Sequence, residues 1–231
     1  MVQDRGLEPH VAGLLTTLAA AGVPILVVSS RARTGKSTLL RALLDYAPQN
    51  AEIVFLRGRH EPFTFLGTSP ECHGFTSRLL VANELSRHLP VYIWGDAARR
   101  AIDLSTLPGY SLWATAHTED ANHPLIGWRE SGHGEGGSRP RWNPVVVKLT
   151  STTGKSGHGW SHVAVQLEEP AFSNAQRRTV DTTEIQWTDP GAWHALWRQA
   201  TKALRRAYGS PGAFVEAVEV RTRQFSGDEY A

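Results

Sequence analysis

The sequence predicts an α/β fold with a parallel core sheet that is extended by antiparallel strands. In the first half of the chain, short runs that are apolar on both faces alternate with segments of helical periodicity, as in a parallel sheet with helical crossovers. In the second half, strand-like segments follow one another directly and predict a hairpin. The 231 residues predict one compact domain, with the core over residues 1–125 and the strand extension and a basic C-terminal helix over 126–231.

The first predicted elements are a helix, a strand and a second helix. Leu7 to Ala21 has the three-and-four apolar spacing of an amphipathic helix, which Gly22 ends. Ile25 to Val28 is apolar throughout and predicts a buried strand. A polar turn follows, and leucines at helical spacing predict a helix from Leu39 to Leu44.

Three further strands and two helices complete the predicted core, the second helix being Ala97 to Leu104. The strands are expected at Glu52 to Leu56, Val91 to Asp96 and Tyr110 to Ala116. Between the first two, Phe75 to Leu89 has apolar residues at helical spacing and predicts a helix that Pro90 ends.

The second half predicts strands followed by a helix. Val145 to Leu149 and Trp160 to Leu167 alternate like the strands of a hairpin, and Arg177 to Trp187 predicts a third strand. The glycine-rich residues 130–140 predict a mobile surface loop. Trp193 to Tyr208 predicts an amphipathic helix whose other side is either solvated or a docking surface for an acidic partner or membrane headgroups. The basic residues on that side are Arg198, Lys202, Arg205 and Arg206.

Composition excludes several classes of protein. With 24 Lys plus Arg, 22 Asp plus Glu and 41% hydrophobic residues, the chain is neither disordered nor a strongly basic nucleic-acid coat. The single cysteine, Cys72, rules out an intramolecular disulfide and favours the cytoplasm. The sequence predicts no membrane span of about 20 apolar residues and no signal peptide at Met1 to Glu8.

The turn after the first strand predicts a phosphate-binding loop. Backbone N–H groups and the start of a helix can converge on phosphate oxygens, while Lys36 reaches the terminal phosphates and Ser37 holds Mg²⁺. Ser30 replaces the first consensus glycine, and the structural alternative is a capped tight turn. A second Gly-Lys-Ser at residues 154–156 has Leu149 at the first glycine position and is interpreted as an unrelated loop. The predicted nucleotide-binding residues are Ser30, Arg31, Ala32, Arg33, Thr34, Gly35, Lys36, Ser37 and Thr38.

Asp96 ends the predicted strand Val91 to Asp96, which has the form of a Walker B strand. A carboxylate at that point holds the Mg²⁺ hydration shell together with Ser37, or polarises the attacking water. The alternative is a helix cap, because a helical segment from Ala97 to Leu104 follows directly.

Further segments occur in a recognisable order after the phosphate loop. Glu61 follows the second strand, Ser77-Arg78-Leu79-Leu80 leads to Ile93-Trp94-Gly95-Asp96, and residues 113–121 are Trp-Ala-Thr-Ala-His-Thr-Glu-Asp-Ala. This order resembles the secretion and pilus ATPase family, the ring motors of type II and type IV secretion and of type IV pili. The segments correspond to its acidic Asp box, its arginine-leading helix with a strand ending Gly-Glu, and its His box, Ser-Thr-Leu-His-Thr-Asn-Asp-Ala.

The resemblance implies a RecA-like P-loop NTPase, a three-layer sandwich that binds ATP and Mg²⁺. It implies a subunit of a homo-oligomeric, hexameric ring that powers pilus assembly, secretion or macromolecule translocation. Such a subunit works beside inner-membrane machinery proteins, in the cytoplasm or peripherally on the inner face of the membrane. The catalytic residues implied are Lys36, Asp96, Glu61 and His117, with His117 sensing the γ-phosphate.

The chain also departs from the family pattern. Asp96 stands where the family has Glu, and Arg57 and Gly58 stand where it has adjacent acids, which predicts slow hydrolysis. The family's N-terminal domain has no counterpart before the first strand, so a separate chain supplies it or the protein is a reduced relative. In a reduced relative, Arg57 and Arg59 would act in trans; the alternative is solvated loop charge.

Two other functions remain open at this point. A DNA-translocating or genome-packaging ATPase would use the same loop, although the net charge of +2 does not favour a nucleic-acid partner. The second open function is that of a subunit that binds nucleotide without hydrolysing it. The spacing of His117, His123 and His133 matches no structural zinc pattern, so Mg²⁺ is the only metal expected.

Overall fold

The computed structural model describes residues 7–58, 60–86, 93–117, 142, 144–154, 157–167, 197 and 202–226. Several predictions concern residues outside these ranges, so the structure does not address them. They are the strand Arg177–Trp187, the loop 130–140, most of the helix Trp193–Tyr208, and the side chains of Arg59, His123 and His133.

Strands and helices alternate along the described chain. The strands are β1 (Ile25–Ser29), β2 (Ala51–Phe55), β3 (Ser77–Ser86), β4 (Ile93–Trp94), β5 (Tyr110–His117), β6 (Val145–Gly154) and β7 (Gly157–Leu167). The helices are α1 (Pro9–Ala20), α2 (Lys36–Leu44), α3 (Gly95–Ser105), α4 (Lys202–Tyr208) and α5 (Pro211–Ser226). Short 3₁₀ turns at Thr64–Gly67 and Pro70–His73 connect β2 to β3. None of the described helices is long and apolar enough to span a membrane.

The strands form one sheet in the order β2-β3-β5-β1-β6-β7, with the short β4 paired to β3. All the described pairings are parallel except that between β6 and β7, which is antiparallel. The predicted α/β class and the antiparallel extension are therefore confirmed. Because β1, β3 and β5 run parallel, their carboxyl ends meet at one edge, where ligands bind in open α/β sheets.

Helices cover both faces of the sheet. On β1, Ile25 and Val27 pack into one buried cluster with α1, α2 and α5, while Leu26 and Val28 pack into another with α3. The alternation follows from the two-residue period of a strand. The described part of the chain is thus a three-layer sandwich, and the fully apolar β1 lies at its centre because both of its faces are covered.

The predicted helix Phe75–Leu89 is wrong, since the chain forms strand β3 from Ser77 to Ser86. Leu79 and Val81 belong to one buried cluster, whereas Leu80 and Ala82 belong to the other. A segment with apolar residues on both faces fits a central strand, and pairing with β2 and β5 satisfies its backbone. The helical spacing of its leucines was a coincidence that periodicity alone could not resolve.

The predicted strand Val91–Asp96 is observed only as Ile93–Trp94 within the described residues. Helix α3 begins at Gly95, so Asp96 lies in a helix and does not end a strand. Strand β4 is short and pairs only with the last residues of β3. The predicted strand that ends in an acid is therefore not found at residues 91–96.

Helix α5 was not anticipated, and it packs against α1. Phe214 and Val218 of α5 are buried, a four-residue spacing that could have indicated this helix from the sequence. The helices approach each other at Gly13, where an added Cβ atom would lie 2.3 Å from Thr222 Oγ1 and 2.9 Å from the carbonyl oxygen of Val218. Only a residue without a side chain fits this crossing.

Gly13→Ala is therefore expected to lower the free energy of unfolding by about 1–3 kcal/mol, because the new methyl group overpacks against backbone atoms of α5. Chemical denaturation followed by far-UV circular dichroism measures this loss. Gly212→Ala is the matched control, since a Cβ there meets no atom within 4 Å. Equal stability of the two variants would contradict the described packing of α1 on α5.

Candidate functional site

The predicted phosphate-binding loop connects the carboxyl end of β1 to the first turn of α2. Strand β1 ends at Ser29 and α2 begins at Lys36, which confirms the predicted order of strand, loop and helix and starts the helix three residues before the predicted Leu39. Gly35 is the N-cap of α2 and has a φ of 89°, a left-handed conformation that favours glycine. The free N–H groups of the helix start are therefore directed toward the edge of the sheet, where an anion can accept hydrogen bonds from them.

The serine at the first consensus glycine position is compatible with this loop. Among the described non-glycine residues, positive φ angles occur at Arg33, Phe63 and Glu84, and Ser30 is not one of them. Glycine is needed where φ is positive, so serine at position 30 carries no such strain. Arg33, in contrast, has a φ of 57° within the loop.

Lys36 lies over the loop that precedes it. Its Nζ donates a hydrogen bond to the carbonyl oxygen of Arg31 at 3.4 Å, and the residue is only 7% exposed. Burial lowers the pKa of the Lys36 ammonium, while the negative charge of Glu84 acts in the opposite direction. The ammonium group is thus held close to the helix start, where it can contact phosphate oxygens.

The end of β3 brings polar side chains to the same place. Ser37 Oγ donates a 2.6 Å hydrogen bond to Asn83 Oδ1, and Thr115 Oγ1 donates to the same oxygen at 3.3 Å. Glu84 follows Asn83 and is the charge that acts on Lys36. Helix α2, β3 and β5 are therefore tied together at the carboxyl edge of the sheet, beside the phosphate-binding loop.

Glu84 has an unusual backbone. Its φ is 66°, and the pairing of β3 with β5 is irregular between Ala82 and Leu85. The N–H of Glu84 donates a 2.8 Å hydrogen bond to Thr115 Oγ1, which stabilises this conformation. Strained backbone of this kind is concentrated at functional sites, because surrounding structure must hold it in place.

Sequence reasoning missed Asn83 and Glu84 because it placed them in a helix. The signal was present, since Leu79 to Ala82 is a short apolar run that ends directly in polar and acidic residues. This is the same pattern that was assigned to residues 91–96.

Asp96 lies in the first turn of α3, and its side chain is 98% exposed. It forms an ion pair of 3.4 Å with Arg99, and its position suits a negative charge at a helix start. The contacts described for Lys36 and Ser37 involve the preceding loop and β3, and not Asp96. The N-cap of α3 is Trp94 and no side-chain hydrogen bond caps this helix, so Asp96 does not act as the predicted cap, and its metal-binding role stays a prediction.

Glu61 closes a turn after β2. Its carboxylate accepts hydrogen bonds from the backbone N–H of Arg57 at 2.6 Å and of Phe63 at 3.1 Å. Since both oxygens are engaged by the turn, the described contacts of Glu61 are structural. Arg57 itself is exposed beside this turn, as a solvated or trans-acting arginine would be.

His117 is the last residue of β5 and pairs in register with Ser29 at the end of β1. Its side chain is exposed at the edge where the phosphate-binding loop begins. The structure thus places His117, Ser30 and the β3 residues Asn83 and Glu84 at neighbouring strand ends.

The donor atoms at this edge fit Mg²⁺. Ser37 carries a hydroxyl, and Glu84, whose charge acts on the neighbouring Lys36, carries a carboxylate. Hard oxygen ligands of this kind are those that Mg²⁺ prefers. No cluster of three or more His, Cys, Asp or Glu side chains occurs in the described part of the chain.

Thr115→Val is expected to speed amide hydrogen exchange at Glu84, because the N–H loses its acceptor while the buried volume at position 115 is retained. Hydrogen–deuterium exchange mass spectrometry over residues 77–86 measures this effect. Ser111→Ala is the control on the same strand, since the Ser111 hydroxyl has no hydrogen-bond partner among the described residues. Equal exchange in both variants would show that Thr115 does not hold the Glu84 backbone.

No family model matches the sequence, and no curated protein matches it. Among solved structures, the chain is similar to the VirB11 ATPase of the Brucella suis type IV secretion system in complex with sulphate, with 16% sequence identity and a TM-score of 0.39. The similarity covers 71% of this chain and 58% of that one, so the chain spans less than two thirds of the VirB11 structure. A similarity at this level carries no argument about activity, which rests on the residues of the site.

Proposed function

We propose that the protein is an ATPase subunit that binds Mg²⁺·ATP at the carboxyl edge of its sheet and hydrolyses it. The observation that supports this most directly is the hydrogen bond between Ser37 and Asn83, with Glu84 beside Lys36. These contacts bring the predicted phosphate-binding loop, a hydroxyl suited to Mg²⁺ and a carboxylate into one site.

Nucleotide binding is assigned to the loop and the start of α2. The N–H groups that follow Gly35 would donate to phosphate oxygens, and Lys36 would neutralise the β- and γ-phosphates. Ser37 would ligate Mg²⁺, which when bound draws charge from the phosphates during transfer. These are the roles that the sequence predicted for these residues.

The carboxylate role is assigned to Glu84 in place of Asp96. Glu84 can accept a proton from the water that attacks the γ-phosphate, giving ADP and phosphate. Its negative charge already acts on Lys36, whereas the carboxylate of Asp96 is exposed and paired with Arg99. His117, at the adjacent strand end, remains the proposed sensor of the γ-phosphate.

The proposed ATP hydrolysis would drive a molecular motor. The resemblance of the motifs to secretion and pilus ATPases supports a ring-forming subunit that drives secretion, pilus assembly or translocation with membrane machinery. A shared ring could also bring Arg57 of one subunit to the nucleotide of the next. The retention of an acid at Glu84 favours this function over nucleotide binding without hydrolysis.

Phosphate release from Mg²⁺·ATP, measured beside size-exclusion chromatography with light scattering, tests the proposal. We expect phosphate release by the purified protein and a larger assembly when Mg²⁺·ATP is present. Nucleotide binding without phosphate release would select the non-hydrolysing alternative, and stimulation of the rate by DNA would select the DNA-translocating one. Absence of nucleotide binding would refute all three.

A further inference from the structure

Arg33 has a strained backbone within the predicted phosphate-binding loop. Two residues of this loop have positive φ angles, Gly35 at 89° and Arg33 at 57°. Glycine adopts this conformation freely, whereas a residue with a Cβ atom adopts it at a cost in free energy. The chain therefore has glycine at one of the two positions and a long, charged side chain at the other.

The loop is held by contacts that do not involve the Arg33 side chain. Ser29 Oγ accepts a 3.3 Å hydrogen bond from the backbone N–H of Arg31. Thr34 Oγ1 and Lys36 Nζ both donate to the carbonyl oxygen of Arg31, each at 3.4 Å. These contacts lie on both sides of residue 33, so the loop does not need an arginine there to keep its shape.

The side chain of Arg33 is open to a ligand. The residue is exposed, and within the described ranges its guanidinium group forms no hydrogen bond or ion pair. Strained backbone is concentrated at functional sites, and a strained residue whose side chain packs on nothing indicates a side chain that is kept for binding. The planar guanidinium group matches the oxygens of a phosphate with two parallel hydrogen bonds.

We propose that Arg33 binds the terminal phosphate of ATP and so makes the site discriminate between ATP and ADP. The inference rests on the proposed nucleotide site and adds a side chain to it. The consensus of Gly, four residues and Gly-Lys-Ser/Thr specifies no side chain at position 33, and the roles predicted for residues 31–34 belong to backbone N–H groups.

The terminal phosphate is the group that calls for a further cation. It carries close to two negative charges at neutral pH, more than either inner phosphate. Lys36 and the loop amides are shared among all the phosphates, so an additional positive charge in the loop is most effective at the terminal one. Because hydrolysis removes this phosphate, the contact is absent in the product, and ATP is bound more tightly than ADP.

The test is displacement of fluorescent N-methylanthraniloyl-ADP from the full chain in excess Mg²⁺, by ADP and by the non-hydrolysable β,γ-imido-ATP. In Arg33→Gly the affinity for β,γ-imido-ATP should fall roughly tenfold, the loss expected for a hydrogen bond to a charged group. The affinity for ADP should stay within about twofold of the unmodified protein, since ADP lacks the phosphate concerned. Arg33→Lys should lose less affinity for β,γ-imido-ATP, because it retains the charge but not the paired hydrogen bonds.

Two controls separate this role from a structural one. The melting temperature of Arg33→Gly without nucleotide should not fall, because glycine adopts a φ of 57° without strain. Arg41→Ala removes an exposed arginine from the last turn of α2, outside the loop. Both affinities should stay within about twofold in this variant, because a screened surface charge contributes little to binding.

Equal losses for the two nucleotides in Arg33→Gly, or a loss of the same size in Arg41→Ala, would overturn the role of Arg33 and leave the nucleotide site intact. A lower melting temperature of Arg33→Gly would also overturn it, by showing that the arginine supports the loop. Failure of the unmodified protein to bind the fluorescent probe would overturn the proposed function and this inference together.

Discussion

Glu84→Gln is expected to reduce ATP hydrolysis by roughly 10²- to 10⁴-fold, the contribution of a positioned general base. Glutamine has the same shape as glutamate, so the left-handed backbone and the hydrogen bond from its N–H to Thr115 should be retained. Only the ability to accept a proton from water is removed. The rate of phosphate release at saturating Mg²⁺·ATP measures the effect.

Nucleotide binding should persist in this variant, which separates a catalytic loss from a folding defect. Removing the negative charge beside Lys36 should, if anything, strengthen binding of the ATP phosphates, because one source of repulsion is gone. A fluorescent ATP analogue measures this affinity. Loss of binding together with turnover would show that Glu84 is structural.

Asp96→Asn is the matched control, since it also converts a carboxylate to an amide. Its side chain is 98% exposed and paired with Arg99, so its replacement should alter stability by no more than a few tenths of a kcal/mol. Turnover should stay within about twofold of the unmodified protein, because the proposed base is untouched. If Asp96→Asn abolished turnover and Glu84→Gln did not, the assignment made from the sequence would be restored.

Lys36→Ala is expected to weaken nucleotide binding by at least roughly 10-fold, because charge-assisted hydrogen bonds to the phosphates are lost. Turnover should fall further, since the same ammonium stabilises charge during phosphoryl transfer. The fold should be retained, because Lys36 is a buried cation whose removal relieves a desolvation cost. Isothermal titration calorimetry with ADP measures the binding loss, and circular dichroism checks the fold.

Lys155→Ala is a stringent control because it lies in the same tripeptide, Gly-Lys-Ser. Lys155 lies outside the described residues, but Gly154 ends β6 and Gly157 begins the antiparallel β7, so a strand and not a helix follows this copy. Phosphate binding by such a tripeptide depends on a helix start directly after it, so this copy is not expected to bind phosphate. Equal loss of nucleotide affinity in the two variants would contradict the proposed site.

The strand, loop and helix that carry the predicted phosphate site were predictable because these elements are local. Ile25 to Val28 is apolar throughout and can only be a buried element, and the leucines after Ser37 have an unambiguous helical spacing. Gly35 indicates a left-handed backbone conformation, which glycine adopts more easily than other residues. Each of these signals is contained in fewer than a dozen neighbouring residues.

The position of the proposed catalytic carboxylate was not predictable in the same way. Residues 75–89 satisfy helical spacing and strand-like apolarity together, and only pairing with β2 and β5 decides between them. Once that segment is a strand, Glu84 lies at the edge of the sheet and Asp96 passes into a helix. One error in secondary structure therefore moved the predicted acid by a dozen positions.

The sequence by itself determined the α/β class and the strand–loop–helix segment that contains Lys36 and Ser37, because local patterns specify them. Tertiary structure alone decided which acid faces the loop, how Asn83 connects Ser37 to Thr115, and why Gly13 is needed where α5 crosses α1. Those features join residues far apart in the chain. Their positions follow from strand order and helix packing, which no local pattern encodes.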